Sequence, residues 1–120
     1  QPAYWAFCWG SGLALARYLL DHPERVRGER VLDVGSGGGV VAVAAAVAGG
    51  ALIALPAIDG ARGHPVGFAS RLKPELLEIS GDEGARSVVR RHADQVRVID
   101  TRDRGILQDI DTRDDLAARR

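Results

Sequence analysis

The order of helix and strand signals along the chain predicts an α/β fold. Three observations carry this. Short apolar or alternating runs, "VLDV" (31–34), "ALIAL" (51–55), "VGFAS" (66–70) and "QVRVID" (95–100), are spaced by stretches of helical periodicity. Glycine-rich turns separate the two kinds of segment. The 120 residues, 46% of them hydrophobic, suffice for one core. The expectation is a single three-layer domain with a mainly parallel sheet that need not be complete.

The elements follow in order. Residues 1–10 hold both tryptophans and lead into a helix that Ser11 can cap. It runs to about Leu20, with Leu13, Ala16 and Leu20 on one face and Leu15 and Leu19 beside it. A polar connection precedes "VLDV". Gly35 to Gly39 form a turn, Val40 to Ala48 a helix, and Gly49-Gly50 its end. "DGARGHP" (59–65) is turn chemistry. Ser70 can cap a helix over 71–79, and Asp82 a second one to about His92. "TRDRGILQDI" is a loop ending in a short strand, and Thr112 caps a last helix.

Lys+Arg and Asp+Glu balance at sixteen each, so no basic field points to nucleic acid or to an anionic membrane. Residues 40–58 carry no charge and are long enough to span a bilayer. Gly49-Gly50, Pro56 and the lack of flanking Lys or Arg favour a buried helix and strand instead. The single Cys8 allows no internal disulfide, which suits a reducing cytoplasm. The chain contains no methionine and opens on Gln1, as a processed, trimmed, engineered or partial product would.

The segment "RVLDVGSGGGVVAVAAAVAGG" (30–50) is a strand, a glycine turn and a helix. Glycines let the backbone approach a ligand, and the first amides of a helix are unpaired donors at the positive end of a dipole. The spacing departs from G-x-G-x-x-G, and a tight turn without a ligand remains the alternative.

Residues 3–50, with an aromatic lead-in, a capped helix and "VLDVGSGGG", resemble class I S-adenosylmethionine-dependent methyltransferases. The nearest branch includes nicotinamide N-methylase-like and protein-lysine methyltransferases. The resemblance implies that Asp33, Gly35, Ser36, Gly37 and Gly39 surround the S-adenosylmethionine. It also implies an acidic residue on the ribose at the end of the next strand, a place Asp59 can fill. Asp59 equally suits a turn aspartate. The family's acidic-Pro-Pro-aromatic substrate loop is absent from the sequence, and no methyl-transfer catalyst is identified.

From about Ala51 the chain resembles the C-terminal part of molybdenum cofactor nucleotidyltransferases, the cytidylyl- and guanylyltransferase group. "GARGHP" (60–65), "GDEGAR" (81–86) and "DIDTRDDL" (109–116) carry the likeness, with Arg113 where the family usually has proline. It implies that His64 lines the substrate side and that Gly81, Asp82 and Gly84 form a loop near the pterin. Asp109 and Asp111 share one face of a strand, where two carboxylates can hold Mg²⁺ beside a triphosphate. An idle exposed histidine and a capping Asp pair are the plainer alternatives. The family's N-terminal Arg- and Lys-bearing glycine loop and its mid-chain metal-binding Asp are absent from the sequence.

The chain is therefore expected to be a transferase-derived chimera, with segments 1–50 and 51–120 joined in one domain. The expected function is residual binding of a small-molecule cofactor, S-adenosylmethionine, without turnover. A nucleotidyltransferase remnant and a non-catalytic protein-interaction or designed module are the other two classes. No nucleic-acid or membrane partner is expected, and protein partners and oligomeric state stay open.

Overall fold

Alanine and valine fill "VVAVAAAVA", and the helix this run predicts forms over Val40–Ala48 (α2). A computed structural model describes residues 10–33, 39–81 and 84–107 of the chain. α2 ends in two glycine-enabled backbone bonds. The Gly50 N–H donates to the Val47 carbonyl at 3.0 Å and the Ala51 N–H to the Ala46 carbonyl at 3.0 Å. Gly50 takes φ 113°, which a side chain would resist. The chain then turns directly into β1 (Ile53–Ile58).

β1 is the centre of a mixed four-stranded sheet. Its longest ladder is parallel, to β4 (Val96–Asp100), with Ile53 opposite Val96 and Ala57 opposite Asp100. Two short antiparallel strands share its other edge. β2 (Ala61–Arg62) pairs with Ala57 and Ile58, and β3 (Gly67–Phe68) with Ile53 and Ala54. Pro56 falls between those two short ladders. Its missing N–H therefore leaves no ladder bond unmade, and its carbonyl accepts from Gly63 N–H at 2.9 Å. This is why the strand continues through a proline instead of stopping at Leu55.

The two faces of β1 meet different helices, as a pleated strand requires. Ile53, Phe68 and Val96 pack with Leu72 and Val88. Leu72 ends a 3-10 turn, Ser70–Leu72, that runs into α3 (Lys73–Leu77), and Val88 lies in α4 (Arg86–Arg91). On the opposite face, Ala54 pairs with Gly67, where an added Cβ would stand 2.7 Å from Val43 and 2.9 Å from Val47 of α2. Behind α2 lies α1 (Gly10–Asp21), whose Leu19 joins Val26, Ala45 and Ala48 in a second cluster. The α/β class and its helix–sheet–helix layering hold.

Several element boundaries need correction. Residues 31–33 form no strand, and Val31 and Leu32 are 51% and 85% exposed. Both edges of β1 are already occupied, so a strand there has no place beside it. The helix expected over 71–79 is a 3-10 turn followed by five α-helical residues, and Ser70 makes no side-chain cap. The next helix starts at Arg86 rather than near Asp82, and α1 starts at Gly10, ahead of Ser11. Residues 104–107 form a 3-10 turn within the predicted loop. The helix expected from Thr112 lies outside the described residues. The uncharged stretch 40–58 resolves into α2 and β1, and no described helix is long and apolar enough to cross a membrane.

Candidate functional site

The carboxyl end of the β1–β4 pair and the head of α2 meet at one edge of the sheet. In open α/β sheets this is the end where ligands bind. Gly39 heads α2 with φ 83° and is buried, and an added Cβ would lie 3.9 Å from the Pro56 side chain. The first intrahelical bond is Val43 N–H to the Gly39 carbonyl at 2.9 Å. The amides of residues 40–42 thus have no acceptor within the helix. Asp33 is half-buried, and its Oδ2 is fully buried without a hydrogen-bond partner among the described residues. Gly35, Ser36 and Gly37 lie outside the described residues.

Asp59 and Gly60 form the two-residue loop between β1 and β2. Both have positive φ, 49° and 82°, as the mirror-image turns of tight hairpins require. The Asp59 carboxylate is 85% exposed and lies 3.7 Å from Arg104. A pair this open contributes little stability. His64 follows β2, with its ring at the surface and its N–H donating to the Ile106 carbonyl at 2.8 Å. The 104–107 turn therefore touches both the Asp59 side chain and the His64 backbone.

That turn is organised by Asp103, a residue outside the sequence motifs above. Asp103 Oδ1 accepts from Gly105 N–H at 2.8 Å, and Asp103 N–H donates to Thr101 Oγ1 at 3.2 Å. Asp103 Oδ2 is buried and has no partner among the described residues. An Asp two residues before a turn amide is a cap signal, and "TRDRG" contains it. Gly63 lies against the same turn. A Cβ there would collide with the Ile106 carbonyl, so only glycine lets the hairpin close on the 104–107 turn.

Gly81 and Gly84 adopt φ 70° and 58° in the connection between α3 and α4. These helices pack on Leu52 and Ile53, at the start of β1, whereas Asp59 and His64 lie past its end. Asp82, Asp109 and Asp111 lie outside the described residues. Among the described residues no group of three or more His, Cys, Asp or Glu is placed to hold a metal.

One pKa is displaced. Glu75 of α3 has its carboxyl below the ordinary value of 4.5, chiefly through the hydrogen bond from His92, with Arg91 adding to it. His92 Nε2 lies 3.0 Å from both carboxylate oxygens, and Arg91 donates at 2.8 Å. This cluster ties α3 to the end of α4 and stands apart from the α2 head.

Two comparisons with known proteins pull in the two directions the sequence suggests. The family described as MobA-like NTP transferase domain matches residues 39–96. That match begins at the head of α2, ahead of the change of character near Ala51, so α2 falls within it. The electron transfer flavoprotein beta subunit lysine methyltransferase of Homo sapiens is 52% identical over 63 residues, 52% of this chain and 24% of that protein. The Rattus norvegicus protein is 45% identical over 69 residues, 58% of this chain and 27% of its own length. The Caenorhabditis elegans homolog is 36% identical over 56 residues, 47% of this chain and 23% of its own. The chain thus spans about a quarter of the length of these relatives. No solved structure matches. A methyltransferase-like origin is supported, and a nucleotidyltransferase-like one in part.

Proposed function

We propose that this chain binds an S-adenosylmethionine-type cofactor at the head of α2 and does not turn it over. The observation that carries the proposal is Asp33 Oδ2, a buried acceptor without a partner among the described residues, in the chain ahead of α2. Leaving such an oxygen unsatisfied costs about 1–3 kcal/mol, and an amino or hydroxyl donor of a cofactor removes that cost. The left-handed Gly39 and the unpaired first amides of α2 fit a polar group approaching the helix head. Identity to lysine methyltransferases over half of the chain supports the reading. In this reading Gly35, Ser36, Gly37 and Gly39 line the cofactor, and Asp59 is the acidic group offered to the ribose.

Isothermal titration with S-adenosylhomocysteine tests this. Saturable heat that Asp33→Ala abolishes is the expected result. The absence of heat at millimolar ligand, from protein shown to be folded, would overturn it.

The match over residues 39–96 favours a second reading, a nucleotidyltransferase remnant. Here Asp109 and Asp111 would hold Mg²⁺, while His64, Gly81, Asp82 and Gly84 would face a pterin-type substrate. Mg²⁺-dependent binding of CTP or GTP that Asp109→Ala and Asp111→Ala remove would support it. Binding indifferent to both substitutions would end it. In either reading the ligand is a small molecule, and the balanced charge gives nucleic acid or an anionic membrane no field to follow.

A further inference from the structure

At the opposite end of the sheet, the amino ends of β1 and β4 frame an open groove of about 310 Å³. Its walls include Gly50 and Ala51 after α2, Leu52 before β1, Gln95 before β4, and two arginines, Arg71 and Arg97. Arg71 comes from the 3-10 turn preceding α3, and Arg97 is the second residue of β4.

Most described arginines are unpaired, and Arg71 and Arg97 stand out because they line one groove. Arg17, Arg91 and Arg104 lie against Asp21, Glu75 and Asp59. Among the described residues, Arg71 and Arg97 make no ion pair or side-chain hydrogen bond, and no carboxylate lines their groove. The carbonyls of Ala46 and Val47 at the end of α2 are already used by Ala51 and Gly50, and neither arginine donates to them. Two like charges facing one groove repel, and an anion that both can reach converts that repulsion into attraction. Guanidinium forks fit the oxygens of phosphate in pairs, and the Gln95 amide adds a neutral donor. The volume lies at the small end of the range of ligand sites.

We propose that the groove between Arg71 and Arg97 binds a small phosphate-bearing anion, separately from the head of α2. The anion is either inorganic phosphate or the phosphate of a nucleotide, and the test separates them.

The full chain is titrated with inorganic phosphate, and separately with AMP, at constant ionic strength while ¹H–¹⁵N spectra are recorded. Saturable shifts at Gly50, Ala51, Gln95 and Arg97 are expected, with half-saturation at about 1–10 mM. Arg71→Gln combined with Arg97→Gln should weaken binding about tenfold while the spectrum stays folded. Arg17→Gln should leave it unchanged. Tighter binding of AMP assigns the phosphate to a nucleotide, and equal binding assigns it to the free anion. Shifts that never saturate, or an affinity unchanged in the double variant, would overturn the proposal. If the double variant does not fold, the two single variants are read in the same way. S-adenosylhomocysteine should not compete, so failure at one end leaves the other standing.

Discussion

β1 and α1 are both rich in large aliphatic side chains, yet they end in opposite environments. Ile53 is fully buried, and Val88 and Leu72, which pack with it, are 1% and 3% exposed. On α1, Leu13, Leu15 and Leu20 remain 50%, 48% and 47% exposed, and only Ala16 and Leu19 are buried. Hydrophobicity alone does not bury a residue; it needs a partner surface. β1 has a strand on each edge and helices on both faces, whereas the described contacts of α1 are chiefly with α2. The segment Val31–Asp33 joins no edge of the sheet. The stability of the fold therefore resides in β1, its neighbouring strands and the helices on its faces.

The strongest challenge to that contrast is Ile53→Ala. Truncating a fully buried isoleucine should cost about 2–5 kcal/mol, measured by urea unfolding. A cost under about 1 kcal/mol would mean that the centre lies elsewhere. Next are the two close approaches. Gly63→Ala drives a methyl group into a backbone carbonyl, and Gly67→Ala drives one into two valines of α2. Each should cost about 1–3 kcal/mol, with Gly63 the worse because a backbone carbonyl cannot rotate aside. Equal tolerance of both would contradict the packing of α2 on the sheet.

A smaller effect should follow pH. The Glu75 carboxyl is lowered in the fold, so its contribution is present above the ordinary value of 4.5. It is lost as pH falls through the lowered value. Glu75→Gln should therefore narrow the stability difference between neutral and acid pH, read from thermal midpoints. A variant with an unchanged acid limb would remove the α3–α4 tie from the account. The least effect belongs to Leu13→Ser, which should shift stability by no more than about 0.5 kcal/mol.

Much of the sheet region was legible because its signals are local. α2 is bounded by glycines that its ends require, and β4 shows its alternation in "VRVID". "DG" at Asp59-Gly60 marks the hairpin turn. Other features depend on partners distant in sequence. Whether "VLDV" becomes a strand depends on pairing with a distant segment, and beside β1 both places are taken by residues 61–68 and 96–100. The passage of β1 through Pro56 depends on the gap between two short ladders. The Glu75–His92 contact joins residues seventeen apart, one in α3 and one just past the end of α4. Of the candidate site, Gly39 and Asp33 were legible as part of a glycine turn, while Asp103 and Gly63 gain meaning only once the 104–107 turn closes on the hairpin.

Hydrogen exchange of the full chain, with and without S-adenosylhomocysteine, tests the central claim most directly. Amides of Ile53–Leu55 should exchange only on global unfolding, while those of α1 exchange far sooner. The ligand should slow the amides of residues 40–42 at the head of α2 and leave α1 unchanged. Equal protection of α1 and β1, with no ligand effect at residues 40–42, would contradict both the division of stability and the place assigned to the cofactor.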